Sequence, residues 1–369
     1  MGYNLFMNQI YTLYEKLKGD KEFVNLISTN FSDHFTFPKE ILKGEVDKYL
    51  DSRKYSPDSK GNIRTRKYIS KDFENVFLTS STSESYFLIL SSIGNLGDKV
   101  SLPKPSYPIF EHLLNGIKIE YEFYDLRFEN AWEIDISKLN TNNKFLVLIS
   151  PSNPTGTCIS QKKLDDILLW ASKNRVIVIL DSVFEDFSES KLNISTDYLA
   201  FKLNGISKQL ALPDMKLAFI EVFSNNKEIL PETLEKLEIQ NDTYLNSSSL
   251  IQEIYPDIHS KSLDFQNEMK DSIRKSREKI FKELVSLGFE VVKPSGGIHT
   301  LFRIKKSSKL SLTEEDIVIK LLKEHKVFIH PGYFYDYEES EYYSFVMSVL
   351  DDKKEILEAL KILKSICLQ

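Results

Sequence analysis

Two uninterrupted apolar runs constrain the fold more than any other feature of the sequence. The first covers residues 145–149 and leads into Ser-Pro-Ser-Asn-Pro-Thr-Gly, and the second covers residues 176–180 and ends at Asp181. The intervening residues 160–173 are predicted to form a helix. A strand, a helix and a second strand in this order predict a βαβ unit. Because neither strand alternates with polar residues, we expect a parallel sheet that is covered on both faces.

Polar side chains follow these strands at the points where ligands bind in parallel sheets. Asn153 follows the first strand and Asp181 ends the second, and ligands lie at the carboxyl ends of such strands. A buried acid is costly unless it meets a cation. Lys208 comes next, followed by a mostly apolar run. Burial would remove its proton, and a neutral lysine amine can form a Schiff base with an aldehyde. The alternative is a solvated lysine in a loop.

Length and composition limit the class of protein. A chain of 369 residues is expected to form two domains. The net charge is -6 and charges of both signs are mixed, which favours neither a nucleic acid nor an anionic membrane as partner. The two cysteines, Cys158 and Cys367, form no motif, so a cytoplasmic location is expected. We also expect no secretory signal and no segment that spans a membrane.

The remaining patterns predict further helices and strands along the chain, and those near its C-terminal end indicate a second, smaller lobe. Helices are expected at residues 8–18, 39–52, 85–93, 262–287, 312–325 and 352–366, and strands at 75–79, 97–103, 290–292, 299–304 and 327–329. The long charged helix at 262–287 is suited to connecting two lobes. The segments after it indicate a small α+β lobe, which the N-terminal residues complete.

Two further segments have candidate binding residues. Ser81, Thr82 and Ser83 lie between a strand and a helix, where free backbone N–H groups can bind a phosphate. Capping of the helix by a hydroxyl group is the alternative. Tyr107 lies between two prolines, which stiffen its backbone and suit it for stacking on a flat ligand. A packed loop tyrosine is the alternative there.

Taken in order, these motifs resemble the fold type I pyridoxal-phosphate (PLP) enzymes, specifically the class I/II aminotransferase family. The resemblance runs from about Tyr55 to the C-terminus. Its markers include Thr-Ser-Ser-Thr-Ser-Glu at 79–84, Pro-Lys-Pro-Ser-Tyr-Pro at 103–108, Ser-Asn-Pro-Thr-Gly at 152–156, Asp-Ser-Val-Phe-Glu-Asp at 181–186, Ser-Lys at 207–208 and Gly-Gly at 296–297.

The resemblance implies the architecture and the domain boundaries. It predicts a three-layer α/β/α PLP-transferase major domain with a mainly parallel sheet, plus a smaller α+β domain. The large PLP-binding domain would cover residues 46–262. The small domain would comprise residues 1–45 and 275–369, with residues 263–274 lying within the connecting helix.

The resemblance also implies a role for each site residue. Lys208 would form a Schiff base with PLP and move the substrate proton, and Asp181 would pair with the pyridinium nitrogen. Asn153 would donate to the phenolic oxygen of the cofactor and Tyr107 would stack on its ring. Residues assigned to the phosphate or its surroundings are Ser81, Thr82, Ser83, Ser207 and Lys216. Tyr55 would reach the phosphate of the partner subunit, which implies a homodimer.

Several positions depart from the family pattern. The arginine that grips the substrate carboxylate is replaced by Val346, and the tyrosine beside the cofactor oxygen by Phe184. Gly205 stands where a serine is usual, Lys216 where the phosphate arginine is usual, and Ser81 where a glycine is usual. Loss of a bidentate arginine removes a strong, orienting contact. Arg303, His299, Lys104 and His330 are candidates to replace it, and each has a structural or solvated role as the alternative.

These observations predict a PLP-dependent aminotransferase that acts on a small-molecule amine or amino acid with atypical amino-donor recognition. Two alternatives stay open from the sequence. One is a different PLP reaction on the same fold, such as that of a lyase, decarboxylase or oxidase. The other is a PLP-binding protein without catalytic activity.

Overall fold

The computed structural model describes residues 9–53, 55–245, 247–307 and 312–368. Its strands are β1 (Val24–Asn25), β2 (Val76–Thr79), β3 (Lys99–Lys104), β4 (Glu120–Asp125), β5 (Phe145–Ile149), β6 (Ile177–Asp181), β7 (Ala200–Gly205), β8 (Ala218–Phe223), β9 (Glu290–Val291), β10 (His299–Lys305), β11 (Val327–Phe328), β12 (His330–Pro331) and β13 (Tyr342–Ser348). Its helices are α1 (Gln9–Leu17), α2 (Lys39–Ser52), α3 (Ile63–Ile69), α4 (Thr82–Ile93), α5 (Ile109–Ile117), α6 (Gln161–Asn174), α7 (Ile206–Gln209), α8 (Ile229–Tyr244), α9 (Ser249–Lys261), α10 (Leu263–Ser286), α11 (Glu314–His325) and α12 (Lys354–Leu368).

A seven-stranded sheet with the order β2-β8-β7-β6-β5-β3-β4 carries the predicted βαβ unit. All of its neighbouring strands are parallel except β8, which runs antiparallel to both β2 and β7. Ile177 and Ile179 pack into one apolar core, and Val178 and Leu180 pack into another. Because successive side chains of a strand point to opposite faces, β6 is buried on both. The apolar run in the sequence therefore has the cause that we inferred.

The strand ends converge on one edge of this sheet. Ile149 at the end of β5 pairs with Asp181 at the end of β6, and Asp181 pairs with Leu203 in β7. Ala218, at the start of antiparallel β8, pairs with both Gly205 and Thr79. The loops that follow β2, β5, β6 and β7 consequently leave the sheet on the same side.

Two smaller sheets form from the C-terminal residues and an N-terminal strand. Strands β12, β13, β10 and β9 form an antiparallel sheet in that order, and β1 pairs in parallel with β11. The pairing of β1 agrees with our expectation that N-terminal residues complete the second lobe. The domain boundaries remain a prediction, and residues 1–8 of the small domain lie outside the described residues.

Patterns in the sequence located most helices but missed several strands. The predicted helices at 39–52, 160–173 and 262–287 correspond to α2, α6 and α10 within one residue at each end. Strands β4, β7, β8 and β13 were not predicted. Strand β7 shows why, because it contains Lys202, whose buried ammonium lies 2.8 Å from a carboxylate oxygen of Glu185. A lysine in a strand buried on both sides conceals the apolar pattern until its distant partner is known.

Truncation of Leu180 to alanine should lower the free energy of unfolding by about 3 kcal/mol, since Leu180 is fully buried and its removal leaves a cavity. Leu169→Ala is the matched control, because Leu169 lies in α6 and is 56% exposed. Its effect should stay below about 0.5 kcal/mol. Urea unfolding of both variants checks the difference, and equal losses would contradict the assignment of β6 to the core.

Candidate active site

Lys208 lies in α7, directly after the edge of the sheet where the strand ends converge. Its Nζ donates a hydrogen bond to the carbonyl oxygen of Thr29 at 3.0 Å and lies 5.1 Å from the centre of the Phe31 ring. Burial lowers the pKa of Lys208 to about 8, because an ammonium group loses hydration there. A substantial fraction of this amine is therefore neutral near physiological pH, as its role as a nucleophile requires.

The backbone before Lys208 explains why glycine stands at position 205. A Cβ on Gly205 would lie 2.9 Å from the carbonyl oxygen of Leu217 and 3.0 Å from the Cβ of Ala218. Strands β7 and β8 approach each other too closely here for a larger residue. The replacement of the usual serine by Gly205 thus agrees with local packing.

Asp181 ends β6 and is buried, with 8% of its surface exposed. One carboxylate oxygen accepts from the hydroxyl of Tyr86 at 3.1 Å, and the other accepts from the backbone N–H of Val183 at 3.0 Å. Burial nevertheless raises the pKa of Asp181 to about 6, against the lowering effect of both hydrogen bonds. Within the described ranges, no lysine or arginine forms an ion pair with Asp181. The carboxylate therefore needs a cation from elsewhere.

Asn153 lies in a loop that a pair of glycines fixes. The backbone carbonyl of Gly156 accepts hydrogen bonds from the N–H groups of Ser295 at 2.9 Å and Gly296 at 3.0 Å. Gly156 has a φ of 71°, and a Cβ there would lie 2.3 Å from the carbonyl oxygen of His299. Only glycine fits this contact. The amide oxygen of Asn153 is buried and has no hydrogen-bond partner in the described part of the chain.

Helix α4 begins at the same edge of the sheet. The Ser81 hydroxyl accepts from the backbone N–H of Glu84 at 3.1 Å, so Ser81 is the N-cap. Thr82 and Ser83 form the first turn. The pairing of β2 with β8 ends at Thr79 and Ala218, two residues from Ser81 and two residues from Lys216. Lys216 is exposed, with a φ of 53°. The capping alternative is thus realised at Ser81, while the end of the helix stays suited to an anion.

The other predicted site residues have varied positions. Ser207 is half-buried beside Lys208 in α7. Tyr107 is 47% exposed, and its loop is held by a hydrogen bond of 3.2 Å from the Ser106 N–H to the Tyr335 carbonyl. Tyr55 is 76% exposed. Its contact with a partner subunit remains a prediction, and such a contact requires an exposed side chain.

Of the four candidates to replace the missing arginine, Arg303 is already committed elsewhere. Its guanidinium is within 3.0 Å of carboxylate oxygens of three residues, and it lies 3.8 Å from the Phe128 ring centre and 4.0 Å from the Tyr342 ring centre. The acidic partners are Glu129, Glu290 and Glu339. This aromatic and acidic cage gives Arg303 the structural role, and removes it as a substrate ligand.

The remaining candidates are two histidines, His299 and His330, and one lysine, Lys104. His330 shares hydrogen bonds with Tyr335 at 3.0 Å and Tyr11 at 3.4 Å. His299 is buried and forms an edge-to-face contact with Phe184 at 5.7 Å. Lys104 ends β3, with its Nζ 5.7 Å from the Phe123 ring centre. Val346 is completely buried in β13.

Sequence reasoning missed Tyr86, Thr29 and Phe31. Tyr86 lies in the helix predicted at 85–93, four residues after Thr82. Residues four apart in a helix share a face, so this spacing was a usable signal. Thr29 contributes only a backbone carbonyl to Lys208, and Phe31 only a ring face. No residue pattern indicates such contacts from a distant part of the chain.

Comparisons with known proteins agree with the predicted family and fold. The chain matches the family "Aminotransferase class I and II" over residues 37–354. It is 25% identical over 279 residues to tyrosine aminotransferase of Homo sapiens, covering 69% of this chain but only 62% of the human protein. It is also 25% identical over 348 residues to the probable N-acetyl-LL-diaminopimelate aminotransferase of Bacillus subtilis, covering 86% of this chain and 85% of that protein.

Solved structures show the same fold at lower identity. An aminotransferase from Escherichia coli superposes with a TM-score of 0.84 at 18% identity, covering 98% of this chain and 95% of the other. Alanine aminotransferase from Pyrococcus furiosus gives a TM-score of 0.84 at 21% identity, covering 96% and 95% of the two chains. The predicted fold is confirmed. In the described residues, no helix is long and apolar enough to cross a membrane.

The reactivity of Lys208 should report its lowered pKa. In the folded, cofactor-free protein, acylation of Lys208 should reach half of its limiting rate near pH 8. The same lysine in urea-unfolded protein should do so near the ordinary lysine pKa of about 10.4. Pulse labelling with acetic anhydride, followed by mass spectrometry of the Lys208 peptide, measures both profiles. Coinciding profiles would show that Lys208 is solvated in the folded state.

Asp181 should make the cofactor-free protein less stable as pH rises through its titration range. The folded-state pKa of about 6 exceeds the ordinary value of 3.8, so the folded protein binds the proton more tightly and stability falls between those values. Asp181→Asn has no such titration. Relative to the wild type, the variant should gain about 2 to 3 kcal/mol between pH 4 and pH 7. Urea unfolding at both pH values tests this, and a difference independent of pH would contradict it.

Proposed function

Because the chain belongs to the aminotransferase class I and II family, we propose that it is a PLP-dependent aminotransferase whose amino substrate is recognised in an atypical way. The observation that carries this proposal is the buried Asp181 carboxylate, which has hydrogen-bond donors but no cationic partner among the described residues. A protonated pyridine nitrogen of bound PLP would supply the positive charge. Lys208 and Asn153, which follow β7 and β5 on either side of β6, would engage the other polar atoms of the ring.

The residues present fit this cofactor at each of its polar groups. The amide oxygen of Asn153 is buried without a hydrogen-bond partner in the described residues, which indicates that a donor group is expected beside it. The amide nitrogen is the donor that we propose for the phenolic oxygen of the cofactor. The α4 N-terminus, with Thr82 and Ser83 in its first turn, offers N–H groups to a phosphate. We expect Lys216, which lies two residues before the β8 residue that pairs with Thr79, to add positive charge there. The half-exposed ring of Tyr107 is available for stacking. Other proposed contacts come from Ser81, Ser207 and, across the interface of a homodimer, Tyr55.

The chain's own side chains would carry out the proton transfers. When bound, PLP supplies an electron sink that stabilises negative charge on the substrate carbon. Lys208 would hold the cofactor covalently through Nζ. Once the substrate amine has displaced Nζ from the cofactor, the freed amine of Lys208 would be positioned to accept the proton of the substrate carbon and to give it up again. A pKa of about 8 suits both transfers, because an acid–base group works best when its pKa is near the working pH. Asp181 would stay ionised opposite the ring nitrogen and keep that nitrogen protonated.

A different PLP reaction is the second candidate, and Phe184 favours it. Phe184 is buried beside the site and has no hydroxyl to donate to the cofactor oxygen, which changes the electronic balance of the ring. Product analysis separates the candidates. An aminotransferase transfers the amino group to an acceptor, whereas a lyase, decarboxylase or oxidase releases ammonia or carbon dioxide.

We also propose a cytoplasmic homodimer that acts on a small amine or amino acid. The exposed Tyr55 supports a site shared between subunits, since its side chain has little contact within its own chain. Both cysteines are free in the described structure, as is usual in a reducing compartment.

Reduction with borohydride tests the proposed function directly. Wild-type protein mixed with PLP should absorb in the visible range, and borohydride should fix PLP on the peptide that contains Lys208. Lys208→Ala should lose this attachment and reduce amino transfer by about 10² to 10⁴-fold, because a positioned acid–base group contributes that much. The control Lys227→Ala, which removes an exposed lysine, should behave as the wild type. Wild-type protein that stays colourless with PLP would refute the proposal.

A further inference from the structure

One face of the four-stranded sheet, which we call the wall, carries His299, whose pKa is lowered by burial and also by the charge of Lys208. Leu301 in β10 and His330 in β12 both pair directly with Val346 in β13, and directly paired side chains share a face of the sheet. His299 lies two residues before Leu301, so it lies on that face as well. The wall therefore consists of His299, Leu301, Val346 and His330.

His299, at one end of this wall, is affected by the charge of Lys208. It is 2% exposed, and its ring contacts Phe184. Burial, followed by the charges of Lys208 and His330, lowers the pKa of His299 to about 3. A neutral imidazole has one donor and one acceptor nitrogen. Its Nδ1 is buried without a hydrogen-bond partner in the described part of the chain, which is costly unless a ligand provides the partner.

Backbone contacts place His299 beside the loop that carries Asn153. The carbonyl of His299 packs against Gly156, in the loop that carries Asn153. The same loop holds the turn before β10 through two backbone hydrogen bonds to the Gly156 carbonyl. The unpartnered Asn153 oxygen and the unpartnered His299 nitrogen are thus carried by two loops in direct contact.

The positive charge of Arg303, on the same face of β10, is already neutralised by acidic residues. Arg303 follows His299 by four residues along β10, about 13 Å at 3.3 Å per residue. Its guanidinium is bound by three glutamates. At the centre of the wall Val346 has an aliphatic side chain that cannot pair with an anion, and burial lowers the pKa of His330 to about 3, which leaves it uncharged. A carboxylate placed against this wall would lose its hydration without meeting a cation.

Building on the proposed aminotransferase function, we propose that the preferred amino donor presents a neutral hydroxyl or carbonyl group, in place of an α-carboxylate, to His299. His299 is then a specificity-determining residue that hydrogen-bonds to this group. The hydroxyl or carbonyl provides the partner that Nδ1 lacks within the described ranges. A 2-amino alcohol is the simplest compound of this class, because it differs from an amino acid only in the group that replaces the carboxylate.

Binding of stable cofactor conjugates tests the proposal without requiring turnover. The N-phosphopyridoxyl derivatives of L-alaninol and L-alanine differ only in a hydroxymethyl group against a carboxylate. Calorimetric titration of cofactor-free protein should give at least about tenfold tighter binding of the alaninol conjugate, as a net hydrogen bond and an avoided charge burial imply. Equal or tighter binding of the alanine conjugate would overturn this inference and leave PLP binding intact. Failure of both conjugates and of PLP itself would overturn the proposed function as well.

Two variants locate the preference on the wall. His299→Phe keeps an aromatic ring against Phe184 but removes both nitrogens, so it should weaken the alaninol conjugate about tenfold and leave the alanine conjugate unchanged. Val346→Arg adds a guanidinium and should tighten the alanine conjugate about tenfold. His325→Phe, at an exposed position near the end of α11, should alter neither.

The variants remain informative if one of them folds poorly. Circular dichroism establishes whether the Val346→Arg protein is folded, and His299→Phe is interpreted independently of it. Unchanged affinity of folded His299→Phe for the alaninol conjugate would refute the role of His299. Unchanged affinity of folded Val346→Arg for the alanine conjugate would refute the placement of Val346 beside the substrate.

Discussion

The buried carboxylate of Asp181 is the feature around which the site is arranged. It ends a strand that is covered on both faces, so water cannot solvate it as it would at a surface. Tyr86 and the Val183 N–H each donate one hydrogen bond, but two neutral donors do not cancel a full charge. The fold thus maintains an acid whose proton affinity is raised, and a cationic ring nitrogen is the ligand group that relieves the cost. Lys208, at the next strand end, is perturbed in the complementary direction by the same burial.

A second constraint connects this chemistry to the smaller sheet. Gly156 approaches the His299 carbonyl so closely that no side chain fits, and its own carbonyl binds the turn that precedes β10. Movement of His299 relative to Asn153 would break these contacts. The groups proposed for chemistry belong to the seven-stranded sheet, whereas the wall proposed for substrate choice belongs to the four-stranded one. The close packing at Gly156 fixes the position of one sheet relative to the other.

The sequence was sufficient for whatever depends on local pattern or on motif order. It located β5, α6 and β6, and it indicated that Asp181 and Lys208 lie at one edge, because strand direction determines where a loop begins. It failed where distant residues decide. Lys202 interrupts β7 in the sequence but is paired with Glu185 in the fold. Arg303 was a candidate ligand until Glu129, Glu290 and Glu339, from three separate segments, were seen to surround it. The contact of Thr29 with Lys208 involves a backbone atom, to which the residue type gives no clue.

The departures from the family pattern are physically consistent with one another. If Val346 alone had replaced an arginine, the wall would need another cation to bind the same substrate. Instead, the nearby imidazoles of His299 and His330 are buried, and their pKa values lie far below neutrality. Protonating His299 would place a second positive charge near Lys208, which would disfavour the form of Lys208 that carries a proton. With a neutral wall, the pKa of Lys208 is therefore governed by burial alone. The substrate is then selected by hydrogen bonding and not by its charge.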